Sequence, residues 1–318
     1  MARKKSNKIL GAIRIFFSSI YSYFLYLDQC VKYLFFPIFG QLIALIIIFT
    51  LSYYLNNNID SIQNISPFFE SRRNVNILFC IILLPFLLVF LKAFYEYILA
   101  FSALNILFYT VSGKKKVKDI DFYANKKVIE RKLPTYITLM LIVTVLLVVP
   151  PLIIVAPIIW IFLCLVFQVL AFENESNPVK IISRSIDLVK GNVISTVILL
   201  ILTGILTYWF LPSLFLWAAD KISLTSFIMT KIEAISLMLP LVDINTMLSI
   251  VDLSIDPVLI GREGAKMLIT SLVIAFTLPY RCCCFTELYK LYDYEKIKDF
   301  SKESEEIITR ATGKKRKN

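Results

Sequence analysis

The sequence predicts an all-α fold, a polytopic membrane helical bundle of about six transmembrane helices with additional amphipathic helices at the interface. Of its 318 residues, 58% are hydrophobic and 18% are charged, and the mean hydropathy is +0.74. Residues 133–172 contain no charged side chain, and such a helix would be roughly twice as long as a bilayer is thick. The net charge of +11 comes mostly from residues beside apolar segments, which is typical of membrane topology signals.

The N-terminal segment, residues 1–32, begins with a basic cluster and continues with apolar residues at helical spacing. The apolar positions are Ile9, Ile13, Phe16, Phe17, Ile20, Tyr21 and Phe24. This spacing predicts an amphipathic helix that lies in the membrane interface or packs on the helices that follow. Because Arg14 interrupts the apolar part and no small-residue cleavage site follows, we do not expect cleavage as a signal peptide.

Six stretches have the composition of membrane helices: 33–55, 75–97, 133–149, 152–172, 193–219 and 262–285. Pro150 and Pro151 are expected to form the turn between the third and the fourth, and Pro157 to kink the fourth. The sixth is the weakest, because Lys266 and Arg281 must extend toward the headgroups for it to cross.

Charge distribution predicts how these spans are oriented. The loop 112–132 carries eight basic and three acidic residues, and such a loop is expected to stay in the cytoplasm. The segment 220–262 carries three basic and five acidic residues and is expected outside, as short amphipathic helices broken at Pro240 and Pro257. The prediction is a single transmembrane domain, residues 1–286, and a charged tail, 287–318, with both termini cytoplasmic and the protein in the plasma or inner membrane.

The segment 172–192 predicts a short helix with clear ends. Asn177 can cap it, Pro178 suits the first helical position, and Gly191 can adopt the left-handed conformation at its end. One apolar stripe is formed by Val179, Ile182, Ile186 and Val189. We expect this helix to lie under the membrane on its inner side.

Two groups of charged residues are candidate functional sites. Lys92 and Glu96 lie four residues apart in the second span, so they are predicted to form an intramembrane ion pair, either structural or functional. The basic loop with Lys114, Lys115, Lys116 and Lys118 is a candidate contact for anionic lipid headgroups, although retention of the loop during insertion explains the same charges.

The composition argues against several kinds of chemistry. The sequence has no histidine, and its six cysteines do not have zinc-site spacing. No catalytic, metal or cofactor-binding residue is predicted, and no cofactor. The run Cys282 to Cys284 is either a site of S-acylation or a chance occurrence in an apolar segment. With only eight glycines, close glycine-mediated helix packing is not expected.

Two stretches resemble a known group: ENESNPVKIISRSIDLVKGN, which precedes a span, and ELYKLYDYEKIKD, which follows the last one. The corresponding residues are Pro178, Ser185, Leu188, Gly191, Tyr289, Tyr292 and Asp293. They resemble bacterial six-helix integral membrane proteins without assigned activity, a group that includes the membrane domain fused to some glycerophosphoryl diester phosphodiesterases. In that family the phosphodiesterase chemistry belongs to a separate soluble barrel, so the resemblance implies architecture and no catalytic residue.

Three functions are therefore compared. The first is a non-enzymatic scaffold or a component that organises the envelope or its lipids. The second is a transporter or channel subunit, which would be expected to show buried polar groups on more than one helix. The third, a membrane-embedded enzyme, has the least support. The expected partners are the lipid bilayer, anionic headgroups, and a second copy or another membrane protein, and nucleic acid is not expected.

Overall fold

The computed structural model describes residues 2–111, 130, 132–148, 155–173, 175–236, 245 and 256–294. Within these residues all regular secondary structure is helical, which confirms the all-α class.

The helices, in chain order, are α1 (Ala2–Leu25), α2 (Leu27–Asn57), α3 (Ile59–Gln63), α4 (Arg72–Val111), α5 (Leu133–Val148), α6 (Ala156–Leu163), α7 (Val166–Phe172), α8 (Pro178–Lys190), α9 (Val193–Gly204), α10 (Leu211–Lys221), α11 (Leu224–Ser236), α12 (Pro257–Phe276) and α13 (Leu278–Tyr294). A 3₁₀ turn at Pro67–Phe69 precedes α4, and a π-helical segment, Ile205–Phe210, joins α9 to α10. Pro212 is the second residue after that segment, and because proline cannot donate a backbone hydrogen bond, the wider turn accommodates it.

The helices are grouped in two compact units. Unit 1 comprises Met1–Cys30, Phe101–Gly204 and Leu278–Asn318, and unit 2 comprises Val31–Ala100 and Ile205–Thr277. The prediction of a single transmembrane domain, residues 1–286, is not tested by this grouping and stays a prediction.

Unit 1 has a well-packed interior. Helix α8 packs on α6 and α7, and most of α7 is buried, including Val166, Val169 and Leu170. Helix α1 packs along α9 and also contacts α13, where the rings of Phe16 and Tyr280 meet edge to face at 6.0 Å. Packing on later helices, one of the two expectations for the N-terminal segment, is therefore observed.

Unit 2 contains α2, most of α4, and the helices α10 to α12. Helices α11 and α12 form a closely packed pair, and α12 begins where the Asp256 carboxylate accepts a hydrogen bond from the Val258 amide at 3.0 Å. The break predicted at Pro257 coincides with the start of this helix, whereas Pro240 lies outside the described residues. Much of the surface of α4 is apolar and exposed, as at Ile81 and Leu88.

Among the residues that the structure describes, three helices have the length and composition to cross a membrane: Leu27–Ser52, Arg73–Val111 and Val193–Lys221. A fourth crossing results if Pro257–Phe276 and Leu278–Tyr294 form one broken span. These correspond to predicted spans one, two, five and six, and they indicate a multi-pass membrane protein. The two limbs of the predicted central hairpin are shorter apolar helices, Leu133–Leu146 and Ala156–Phe172, so six crossings stay a prediction.

The central hairpin differs from the expectation in its second limb. Pro157 lies in the first turn of α6 rather than at a kink, because a missing backbone donor is harmless there. The limb is instead interrupted at Cys164 and Leu165, between α6 and α7. The expected turn at Pro150 and Pro151 lies outside the described residues.

The expectation that glycine does not mediate close packing is wrong. A Cβ added at Gly261 of α12 would lie 3.0 Å from the Met229 carbonyl oxygen of α11, and one at Gly264 would lie 3.1 Å from an Ile232 methyl carbon. Gly261 and the buried Ala265 are four residues apart, the small-residue spacing that lets membrane helices approach closely. The position of the glycines therefore matters more than their number.

The substitution Gly261→Leu is expected to destabilise unit 2 by roughly 1–3 kcal/mol, because the new side chain overlaps the α11 backbone. Gly204→Leu is the matched control, since nothing lies within 4 Å of a Cβ at that position. Thermal unfolding in detergent measures the difference in unfolding midpoint between the two variants. Equal midpoints for the two variants would contradict the close approach of α11 and α12.

Candidate functional site

The N-terminal end of α8 is fixed by local hydrogen bonds. The Asn177 side chain accepts from the Val179 amide at 3.0 Å, and Pro178 is the first helical residue, as predicted. The Glu175 carboxylate accepts from the amides of Asn177 and Ser176, both at 3.0 Å. These bonds, that of Asn177 first, lower the pKa of Glu175. The polar residues before α8 therefore satisfy the Val179 amide in its first turn and the two amides that precede the helix.

The C-terminal end of α8 differs from the prediction. Gly191 has φ −82°, which is right-handed and not the expected left-handed conformation. Only Gly191 and Asn192 separate α8 from α9, and the Asn192 amide closes the turn by donating to the Val189 carbonyl at 2.7 Å. Because the chain continues into the next helix at once, a tight right-handed turn replaces the glycine cap.

The apolar stripe predicted on α8 is divided in the structure. Val189 is buried, whereas Val179 is 72% exposed and Ile186 is 37% exposed. The face that packs on α6 and α7 consists of Ile181, Ser185, Leu188 and Val189. The Ser185 hydroxyl donates to the Phe162 carbonyl at 2.8 Å, which satisfies a carbonyl in the last turn of α6.

Four charged or phenolic side chains meet beside α8, and we call them the Arg184 brace: Glu173, Arg184, Tyr289 and Asp293. Arg184 donates from Nε to Glu173 Oε1 at 2.9 Å and from Nη2 to Asp293 Oδ1 at 2.7 Å. The Tyr289 hydroxyl donates to the same Glu173 oxygen at 2.9 Å. A planar guanidinium can reach two carboxylates in fixed directions, so one side chain joins the α7–α8 link, α8 and α13.

The carboxylates of the brace change the pKa of Arg184. Burial lowers the pKa of Arg184, but the hydrogen bond and charge of Glu173, with the charge of Asp293, outweigh burial, and the pKa is raised. Each of these charged side chains is about one third exposed, so solvent weakens the attraction without removing it. The cluster is therefore a set of mutually paired charges.

Lys132 extends the polar cluster toward α5. Its ammonium group donates to the backbone carbonyls of Leu170 at 2.8 Å and Glu173 at 2.7 Å. Burial lowers the pKa of Lys132, and the charge of Glu173 opposes that shift. A cation at this place satisfies carbonyls that the C-terminal end of α7 leaves without helical partners.

Helix α13 makes two further polar contacts within unit 1. The Tyr292 hydroxyl lies 2.9 Å from the Thr196 hydroxyl and donates to the Asn192 carbonyl at 3.1 Å. The Lys290 ammonium donates to the Tyr109 carbonyl and stands 4.3 Å from the centre of the Tyr109 ring. Through these contacts α13 is joined to the ends of α4 and α9 as well as to α8.

Polar groups are also buried elsewhere in unit 1. The Gln168 amide of α7 donates to Asn105 Oδ1 of α4 at 3.2 Å, and both side chains are buried. Thr196 on α9 and Thr286 on α13 are buried too. Buried polar groups therefore occur on several helices, which sequence analysis did not identify.

The two predicted charged sites are not brought into the Arg184 brace. The Lys92 ammonium lies 6.0 Å from the centre of the Phe36 ring, Lys92 is exposed, and Glu96 is half-buried. Their ion pair stays a prediction. Lys114, Lys115, Lys116 and Lys118 lie outside the described residues, and their contact with headgroups stays a prediction too.

The cysteine run lies in the interior of unit 1. Cys282, Cys283 and Cys284 are all buried, and Cys282 Sγ lies 3.6 Å from the Phe101 carbonyl oxygen. Burial in the folded protein argues against S-acylation of this run. In the part of the chain that the structure describes, no group of three His, Cys, Asp or Glu residues could hold a metal ion.

Seven residues carry the sequence resemblance, and four of them make polar contacts within unit 1. Asp293 and Tyr289 belong to the brace, Tyr292 contacts α9, and Ser185 contacts α6. Glu173, Arg184 and Lys132 were not predicted from the sequence as members of a site. The sequence did contain one signal for such a site, because Arg184 is the single arginine of an amphipathic helix. Its partner Asp293, however, lies 109 residues away in the chain.

No family model, curated protein or solved structure matches this chain. The resemblance to the bacterial six-helix membrane proteins remains an expectation from the quoted residues.

The substitution Arg184→Gln is expected to lower the free energy of unfolding by roughly 1–3 kcal/mol, because it leaves two half-buried carboxylates without their cation. Arg184→Lys is expected to recover only part of the lost free energy of unfolding, since a single ammonium group cannot bind both carboxylates in the geometry of the guanidinium. Lys180→Gln is the matched control on the same helix, because Lys180 is 69% exposed and pairs only loosely with Glu175 at 3.4 Å. Thermal unfolding in detergent measures all three, and equal losses for the two glutamine variants would disprove a structural role for the brace.

Proposed function

We propose that the protein is a multi-pass protein of the plasma or inner membrane that acts without enzymatic activity, as a scaffold or as a component that organises envelope lipids. The observation that carries this proposal is the Arg184 brace, in which each charged group is paired with another group of the same cluster. Pairing of this kind fixes three chain segments relative to one another. A fixed surface suits a protein whose role is to hold partners or lipids in place.

The outer surfaces of unit 1 support the membrane part of the proposal. Helix α5 buries Tyr136 and Leu139 but exposes Ile137 and Leu141. In a protein surrounded by water such exposed residues would be unfavourable by about 25 cal/mol for each Å² of apolar surface. In lipid they carry no such penalty, and contact with the bilayer is the environment that accounts for them.

The charge pattern supplies the remaining details. Both termini and the lysine-rich loop 112–132 would be cytoplasmic, with anionic headgroups as the partners of that loop. A second copy or another membrane protein would be the macromolecular partner of a scaffold.

A transporter or channel subunit is the second candidate function. Two observations favour it: polar side chains are buried on several helices of unit 1, including Asn105 and Gln168, and two of the candidate spans are irregular. One contains the π-helical segment Ile205–Phe210, and the other is broken at Thr277. Interrupted helices and buried polar groups are common where membrane proteins bind a substrate or an ion.

The two functions are distinguished by Lys92→Leu, Glu96→Leu and the double variant, expressed in cells that lack the protein. If the pair is structural, each single change leaves one charge in the membrane and lowers the amount of folded protein, and the double change restores it. Activity is measured as the exclusion of a membrane-impermeant dye, because a protein that organises the envelope is expected to keep the membrane sealed. If the pair is structural, the double variant is expected to exclude the dye as well as the wild type does. A double variant that accumulates normally but does not restore dye exclusion would contradict the scaffold and favour the transporter.

A further inference from the structure

Helix α8 has three faces instead of two. With about 100° between successive residues, Ile181, Ser185 and Leu188 point in one direction, and they are buried against α6 and α7. Lys180, Arg184 and Asp187 point in a second direction, roughly 100° away from the first. Val179, Ile182 and Ile186 point in a third direction, about 125° from the buried face, and Val179 and Ile186 are exposed.

A helix that lies between protein and water needs only two faces, one apolar and one polar. The third face of α8 is apolar, and in the part of the chain that the structure describes Val179 and Ile186 remain exposed on it while Ile182 is half-buried. A third environment, besides the protein interior and water, accounts for such a face. Only Gly191 and Asn192 separate α8 from the candidate span Val193–Lys221, so this span would enter the membrane directly beside the helix. Ile194, in the first turn of that span, is also exposed and apolar.

We infer that the third face of α8, formed by Val179, Ile182 and Ile186, is inserted into the lipid of the adjacent membrane leaflet. The exposed Lys190, which borders this face, lies where lipid phosphates would be, and Lys180 and Asp187 face water. The partner is the bilayer surface itself, with its acyl chains against the aliphatic residues. This inference does not depend on whether the protein is a scaffold or a transporter.

Adjacent residues on α8 provide matched pairs for the test, because they differ in direction by about 100°. Val179→Cys is compared with Lys180→Cys, and Ile186→Cys with Asp187→Cys. All four are made in a Cys80→Ser background, since Cys80 is exposed whereas Cys30, Cys164 and Cys282 to Cys284 are buried. Each full-length variant carries the fluorophore NBD on the new thiol and is placed in nanodiscs of phosphatidylcholine and phosphatidylglycerol.

The expected result is blue-shifted NBD emission at positions 179 and 186, with quenching by doxyl-labelled phosphatidylcholine and shielding from iodide. At positions 180 and 187 the NBD emission is expected to show no blue shift, with quenching by iodide and little quenching by the doxyl lipid. Equal quenching of neighbours by the doxyl lipid would overturn the inference. A blue shift without doxyl quenching would also overturn it, because the face would then be covered by protein, such as a second copy. The pair at positions 179 and 180 and the pair at positions 186 and 187 test the insertion of this face independently. If one variant does not fold, the other pair still provides the test.

Discussion

The interaction on which unit 1 depends is the contact of Arg184 with two carboxylates. Removing a charged group from water is costly unless another charge and good hydrogen-bond geometry replace the lost hydration. Glu173 and Asp293 provide that replacement at 2.9 Å and 2.7 Å, and Tyr289 adds a donor to Glu173. Because the brace fixes α13 beside α8, the same helix can also place Tyr292 against α9 and Lys290 against the end of α4.

Helix ends inside a membrane protein require polar partners, and the chain provides them from distant segments. Helix α7 is mostly buried, so the free carbonyls of its last turn cannot all reach water. Lys132, just before α5, donates to two of them. Ser185 donates to the last turn of α6 in the same way. These contacts explain why short helices with broken boundaries can pack in the interior of unit 1.

Local sequence signals predicted where the helices lie. They did not predict which helices are buried or which side chains pair, because contacts between distant residues determine both. The start of α8 was predictable because Asn177 and Pro178 act on neighbouring backbone groups. The burial of α7 was not, since an uncharged run is equally compatible with lipid and with a protein interior. The Arg184 brace was not predictable either, because one sequence does not reveal which of 23 acidic residues lies beside a given arginine. Gly261 was overlooked because its importance follows from the position of Met229, which only the fold reveals.

The brace also determines which residues of α8 remain exposed. Arg184 lies on nearly the opposite side of the helix from Val179 and Ile186, at about 165° from the centre of that apolar face. Rotation of α8 that buried Ile186 would therefore pull Arg184 away from Glu173 and Asp293. The paired charges and the exposed aliphatic face are thus linked through one helix. Insertion of the aliphatic face into lipid, as inferred above, would favour the same helix orientation in which the ion pairs form, and the two contacts would then stabilise each other reciprocally.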